Sequence, residues 1–175
     1  MTEKLSEALR NVELTYGEVV EIANGITANH FKELNALVGK INAQINALTI
    51  DQIREYMLTL QIQAFSLSEI KEKSALKAEL AMALHKEKFA ISFNGADGTA
   101  AVKDKLALIA TSEETVAEAL YNLVSNLFKA KLDQAHRLVD ALKSILISRN
   151  QESKYINSVS TSDIPPVFGE KYQKD

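Results

Sequence analysis

Six apolar side chains repeat along residues 31–48 with alternating spacings of three and four residues, and this regular seam constrains the fold more than any other feature. Side chains spaced in this way lie along one side of an α-helix, as they do in coiled coils. Burying six of them stabilises a fold by roughly 9–18 kcal/mol gross, at ~1.5–3 kcal/mol each. A lone helix has nothing to bury them against, so we interpret the seam as an oligomer interface. It consists of Phe31, Leu34, Val38, Ile41, Ile45 and Leu48.

The rest of the 175-residue chain predicts an all-α fold. Six Gly and two Pro are few for this length, and helix formers are abundant. We expect a helical bundle with long, coiled-coil-like helices that assembles into a closed homo-oligomer. The first segment is predicted as a short helix or a frayed arm, and the expected helices are 1–14, 18–48, 49–65, 67–90, 100–110 and 112–150.

Local signals place the ends of these helices. Thr49 is a predicted N-cap with Asp51 in the first helical turn. Two pairs spaced three residues apart predict capping boxes. They are Ser66 with Glu69, and Thr111 with Glu114.

The segment 92–99 reads SFNGADGT and is the strongest break in the interior of the chain. Its Asn-Gly and Asp-Gly dipeptides favour turns, so we expect a hairpin-like or mobile connector, with an anion-binding nest as the alternative. After it, the helix over 112–150 extends ~58 Å at 1.5 Å per residue, which exceeds the diameter of so small a domain. We therefore expect part of it to pack against another subunit.

Three regions follow from these features. Residues 1–70 form a predicted N-terminal helical and oligomerisation region, 71–150 a helical core, and 151–175 a flexible tail. Pro165-Pro166 excludes a helix in the tail. A short partner-binding motif is the alternative for the apolar residues around the proline pair, which are Ile164, Val167 and Phe168.

The apolar positions expected to pack within the helical core recur at helical spacing. On the third predicted helix they are Ile70, Ala75, Leu76, Leu80, Ala83 and Leu84. On the fourth they are Val102, Leu106 and Ile109. With an apolar run of five residues at most and no charged-then-apolar opening segment, we expect neither a membrane span nor a signal peptide, and a cytoplasmic protein.

Positive charge concentrates in the middle of the chain although the net charge is −3. Between residues 71 and 110 there are seven basic and five acidic side chains, whereas residues 1–70 have five basic and nine acidic ones. A solvated helix face is one interpretation and an anion-binding strip is the other. As candidate nucleic-acid contacts we take Lys71, Lys73, Lys77, Lys86, Lys88, Lys103 and Lys105.

Catalytic and metal-binding patterns are not found in the sequence. There is no Cys, and His30, His85 and His136 lie more than 50 residues apart with no other His one helical turn away from any of them. Glu113-Glu114 opens a predicted helix, where carboxylates complement the helix dipole. We therefore expect no enzyme, no metal and no cofactor; a helical-bundle enzyme with a bound metal or cofactor is the third and least favoured hypothesis.

One stretch resembles a known family. Lys73-Ser-Ala-Leu-Lys77-Ala-Glu-Leu80 is similar to the K-x-A-L-K-A-x-L stretch of UvsY-type phage recombination mediators. After the Gly-containing break, the order of features is also similar. It runs from Val102-Lys-Asp through a long helix with Tyr121 to Asp140-Ala-Leu-Lys-Ser144 and Arg149, so that the resemblance covers residues 71–150.

The resemblance implies a small, helical protein of the host cytoplasm, encoded by a phage, that forms closed oligomers. Members of that family bind single-stranded DNA and help to load a RecA-like recombinase onto strands covered by single-strand-binding protein. Lys77 falls on a basic residue implicated in DNA contact. Where the family has a second basic residue, this sequence has Glu79, which shifts the expected contact to the neighbouring lysines.

A non-enzymatic interaction protein without nucleic acid, such as a phage assembly factor or an inhibitor of another protein, is the competing hypothesis. The two are separated by whether the lysines of residues 71–105 share one surface in the oligomer. Alternation of these lysines with Glu72, Glu79, Glu87 and Asp104 around the helices favours the interaction protein.

Overall fold

The structure is a computed structural model that describes the backbone of residues 2–162 and the side chains of residues 16–155. Its elements in this part of the chain are four α-helices, so the all-α prediction is confirmed. The connections between them are short, and both α3 and α4 lie along α2. The helices are α1 (Thr2–Gln44), α2 (Ile50–Gly95), α3 (Ala100–Ala110) and α4 (Ser112–Ser162).

Two predicted helix boundaries lie inside continuous helices. Helix α1 passes through Gly17 and Gly25. At both glycines, no neighbouring atom lies within 4 Å of the position that a Cβ would occupy. Helix α2 passes through Ser66, whose hydroxyl donates to the carbonyl of Ile62 at 3.3 Å. The capping box predicted for Ser66 and Glu69 is wrong, because the Ser66 hydroxyl donates to a carbonyl one turn earlier in the same helix. The boundary proposed between residues 70 and 71 also falls inside α2.

The N-terminus of α2 has the predicted cap. Thr49 has an extended backbone, its hydroxyl accepts from the amide of Gln52 at 3.3 Å, and the Gln52 side chain accepts from the Thr49 amide at 2.9 Å. At the other junction the capping box predicted for Thr111 is wrong. Its buried hydroxyl donates to the carbonyl of Ala107 at 3.0 Å, so this side chain closes α3 instead of opening α4.

The core lies where α4 packs along α2 and α1 packs against α4. Phe128 is fully buried, and its ring meets Phe31 edge-on with centroids 5.0 Å apart. Other fully buried side chains come from all three helices, including Ile41, Leu60 and Leu142.

The seam of α1 finds its partner within this chain. Leu34, Ile41 and Leu48 are at most 2% exposed in the core, and Phe31 and Val38 pack against it; Ile45 is half-buried. The requirement for a helical partner is thus met by α4 of the same copy, and the seam leaves little surface for a second one. Any contact between subunits has to use other side chains.

The predicted break is a tight turn over residues 96–99 between α2 and α3. Gly98 has a φ of 117°, a conformation that favours glycine. Helix α4 runs beyond residue 150 to Ser162, so the first residues of the predicted tail are helical. The Pro165-Pro166 pair and the apolar residues Ile164, Val167 and Phe168 lie outside the described residues.

Candidate nucleic-acid interface

The seven candidate lysines lie on two adjacent helices. Five belong to the second half of α2, and Lys103 and Lys105 belong to α3, which packs mainly on α2. Their environments differ, and the differences determine which of them can bind an anion.

Two of the lysines on α2 form ion pairs along the helix. Lys73 Nζ lies 2.7 Å from a Glu69 carboxylate oxygen one turn earlier, and Lys71 Nζ lies 2.7 Å from Glu72. The hydrogen bond from Lys73 and its charge lower the pKa of Glu69 below the ordinary 4.5. Both ammonium groups already have an anionic partner, so each offers less to a phosphate than an unpaired lysine does.

A third lysine forms an ion pair between helices. Lys88 on α2 donates to the carboxylate of Glu114 in the first turn of α4. The hydrogen bond lowers the pKa of Glu114 and raises that of Lys88. Since the Glu114 side chain is only 12% exposed, this pair is part of the α2–α4 packing.

Lys77 has an aromatic partner instead of a carboxylate. Its ammonium lies 5.2 Å from the centre of the Tyr121 ring on α4, within the range of a cation–π contact. Lys77 is exposed and Tyr121 is half-buried. The contact joins the two segments on which the family resemblance rests.

Three further lysines, Lys86, Lys103 and Lys105, have no ion pair within residues 16–155. Lys86 is nine residues after Lys77, which places the two about 180° apart around α2 at 100° per residue. The seven lysines therefore do not share one surface of a single chain. The unpaired set is Lys77, Lys86, Lys103 and Lys105.

A second surface, on the side of α2 away from the core, was not anticipated from the sequence. Leu76 and Leu80 were expected to pack inside, but they are 66% and 59% exposed, and the buried positions of this stretch are Ser74, Ala78 and Ala81. The exposed large apolar side chains along this side form what we term the outer stripe. They are Leu58, Ile62, Phe65, Leu76, Leu80, Leu84 and Ile91.

Helix α3 differs from expectation in the same way. Val102, Leu106 and Ile109 are 46–71% exposed, and the one buried residue of α3 is Ala107. The helix rests on α2 through a small side chain, which allows close approach but leaves its larger apolar side chains facing outwards.

Among the described residues, no group of three His, Cys, Asp or Glu side chains is arranged to hold a metal ion. His30 and His85 instead lie near aromatic rings, 5.8 Å from Phe128 and 6.2 Å from Phe89. None of the helices, over the part searched, is both long enough and apolar enough to cross a bilayer.

Comparison of the chain with models of known protein families, with curated proteins and with solved structures finds no match. The functional argument therefore depends on the geometry of the lysines and of the exposed apolar surfaces.

Proposed function

We propose that this protein is a single-stranded DNA-binding recombination mediator that helps to load a RecA-like recombinase. The observation that carries the proposal is the contact between Lys77 and Tyr121, 5.2 Å from ammonium to ring centre. A lysine neutralises a phosphate, and an aromatic ring offers a face to a base, which is the combination used by proteins that bind single strands without sequence preference.

The other unpaired lysines lie apart from this contact, with Lys86 on the opposite side of α2. Lys86, Lys103 and Lys105 remain available for phosphates, whereas Lys71, Lys73 and Lys88 are held by carboxylates. Four unpaired lysines on a chain of net charge −3 make a weak site. A closed oligomer presents the same site several times to one strand, and avidity then compensates for the weakness of each copy.

Glu79 opposes a DNA contact at Lys77 less than its position two residues later in the sequence indicates. It is two residues after Lys77, so at 100° per residue the two lie about 160° apart around α2. Glu79 lies instead on the side of Lys86, seven residues later. Its repulsion therefore acts on a phosphate at Lys86 more than on one at Lys77.

Self-assembly is part of the proposal, as are the coiled-coil character of the contacts and a cytoplasmic location. The outer stripe and the exposed side chains of α3 are the surfaces available for it. The recombinase and a single-strand-binding protein are the protein partners that the proposed activity requires.

Binding of a fluorescently labelled, unstructured oligonucleotide tests the DNA contact. The pair of variants is Lys77→Gln and Lys73→Gln, which remove one charge each from neighbouring turns of α2. We expect Lys77→Gln to weaken binding and to flatten the slope of log affinity against log salt by ~0.7 per lost phosphate contact. Lys73→Gln should change both less, because Glu69 already neutralises Lys73. Equal affinity at low salt for the wild type and a variant lacking all four unpaired lysines would remove the proposal.

A non-enzymatic interaction protein without nucleic acid is the second candidate function. It is favoured by the three lysines that pair with Glu69, Glu72 and Glu114, since these pairs withdraw positive charge from the predicted strip. An assembled protein that does not bind the oligonucleotide at low salt would support this candidate over the first.

A further inference from the structure

The outer stripe is a helical face that has no partner in the described chain. Its members recur mostly at spacings of three or four residues, with a gap between Phe65 and Leu76. Each is 43–77% exposed, and Phe65 is the most exposed. The opposite side of α2 is buried against α4 by residues such as Leu60, Leu67 and Ala78. Helix α2 is thus apolar on two sides, and only one side is covered.

The stripe is large enough for a stable contact. From Leu58 to Ile91 it extends ~50 Å at 1.5 Å per residue. At roughly 100 Å² of exposed surface per side chain, it offers on the order of 700 Å² per copy, close to the ~800 Å² per partner of stable interfaces. The stripe consists of two exposed apolar blocks on either side of the gap, and exposed apolar patches on a protein surface mark interaction sites.

The order of residues along the stripe is self-complementary. A two-fold axis passing near residue 71 sets Leu58 of one antiparallel helix opposite Leu84 of the other, and Ile62 opposite Leu80. Near the axis, in the gap between the two apolar blocks, Glu69 lies opposite Lys73. The two apolar blocks therefore meet each other and a carboxylate meets an ammonium, as an isologous interface requires. Three stripe residues fall opposite polar ones in this register: Phe65 opposite Lys77, Leu76 opposite Ser66 and Ile91 opposite Asp51.

We propose that the outer stripe binds the outer stripe of a second copy of this chain, antiparallel, with the two-fold axis near residue 71. This inference rests on the self-assembly included in the proposed function and specifies its surface and geometry. The ion pair that Glu69 and Lys73 form within one helix, at 2.7 Å, then exchanges partners or extends across the dimer.

Like charges limit the strength of the contact at two symmetry-related positions. The same register sets Glu55 opposite Glu87, and both residues are exposed. Salt screens this repulsion and also the Glu69–Lys73 attraction across the axis, so the dimer should depend little on salt. Binding of DNA weakens as salt rises, which separates the two processes in one titration.

Cysteine cross-linking tests the register, since the chain has no Cys of its own. The variants are the full-length chain with Ile62→Cys alone and with Leu80→Cys alone. In the antiparallel register we expect a covalent dimer when the two variants are mixed under mild oxidation, and little when either is oxidised by itself. Within one antiparallel dimer, two copies of the same residue lie ~27 Å apart along the axis, at 1.5 Å per residue.

Two results would overturn the inference. Cross-linking of Ile62→Cys with itself would show parallel helices, and a mixture that stays uncross-linked would show that the stripes do not meet. If the stripe instead receives a helix of a different protein, the purified chain will sediment as a monomer, which also contradicts the dimer.

A charge substitution provides the second test. Ile62→Glu, near the middle of one apolar block, should reduce the mass in sedimentation to that of a single chain, with the helical circular dichroism unchanged. Ile147→Glu, on the exposed side of α4 and outside both the stripe and α3, is the matched control and should leave the mass unchanged. Oligonucleotide binding by Ile62→Glu distinguishes failure of this inference from failure of the proposed function, because Lys77 and Tyr121 are unaltered in that variant.

Discussion

Lys88 near the end of α2 donates to the carboxylate of Glu114 in the first turn of α4. The two residues are 26 positions apart, and the short helix α3 lies between them in the chain. The contact therefore fixes the start of α4 against the end of α2. Lys88, one of the seven candidate DNA-binding lysines, therefore takes part in helix packing.

This ion pair predicts how stability depends on pH. The pKa of Glu114 is lowered, so its contribution is present above the ordinary value of 4.5 and is lost as the pH falls through the lowered value. The pKa of Lys88 is raised, so its contribution is present below 10.5 and is lost as the pH rises through the raised value. The free energies of unfolding in urea of the wild type and of Glu114→Gln should therefore differ most at neutral pH.

The difference in unfolding free energy between the wild type and Glu114→Gln should shrink at acid pH, where both side chains at position 114 are uncharged. Glu113→Gln, in the same turn but exposed, is the matched control and should show a weaker pH dependence. A stability difference for Glu114→Gln that stays constant from neutral pH to well below 4.5 would contradict the pairing.

Phe128 is the side chain on which the core depends most. It is fully buried and contacts the ring of Phe31. Phe128→Ala should destabilise the fold by about 3–5 kcal/mol, from lost burial and the cavity left behind. Ile109→Ala removes an exposed side chain and should change stability by about 0.5 kcal/mol or less. Chemical denaturation measures both, and a small loss for Phe128→Ala would contradict the packing described.

Two glycines at the end of α2 should respond oppositely to alanine. Gly98 has a φ of 117°, and a Cβ there would lie 3.3 Å from a Val102 methyl group, so Gly98→Ala should destabilise the fold by about 1–3 kcal/mol. Gly95 is helical with no atoms crowding the Cβ position, so Gly95→Ala should stabilise it by about 0.5–1 kcal/mol. Thermal unfolding of the two variants checks the turn, and equal shifts in melting temperature would argue against it.

Adding a basic residue at position 79 should strengthen the proposed DNA binding. Glu79 is exposed and lies on the same side of α2 as Lys86. Glu79→Lys removes a repulsive charge and adds one contact, which should steepen the salt slope by ~0.7. Glu21→Lys makes the same change of charge on α1, outside the outer stripe, and serves as the control. An equal gain in both variants would indicate only a general effect of net charge.

The sequence predicts the helices well and their partners poorly. The regular spacing from Phe31 to Leu48 predicts a helix with one buried side, because helical periodicity is a local property. The structure has this helix as far as Gln44, and Ile45 and Leu48 lie in the connection that follows. Nothing in that spacing indicates whether the partner belongs to the same copy. The long helix α4 provides it, and the interface predicted for α1 becomes part of the core.

The same limitation explains the errors on α2. Its sequence is apolar on two sides, with Ala78 on one and Leu80 on the other. Helical spacing selected the side with Leu80 as the buried one, but close packing against α4 is achieved by the small residues Ser74, Ala78 and Ala81 on the other side. The lysines were ambiguous for a related reason. Lys73 and Glu69 are one turn apart, so their pairing was visible in the sequence, whereas Lys88 and Glu114 meet only through the tertiary fold.

Mass in solution, with and without an unstructured oligonucleotide and at low and moderate salt, tests the central claim most directly. We predict an assembled protein that takes up the single strand at low salt and releases it as salt rises, while remaining assembled. An assembly that ignores the strand at low salt would contradict the mediator function.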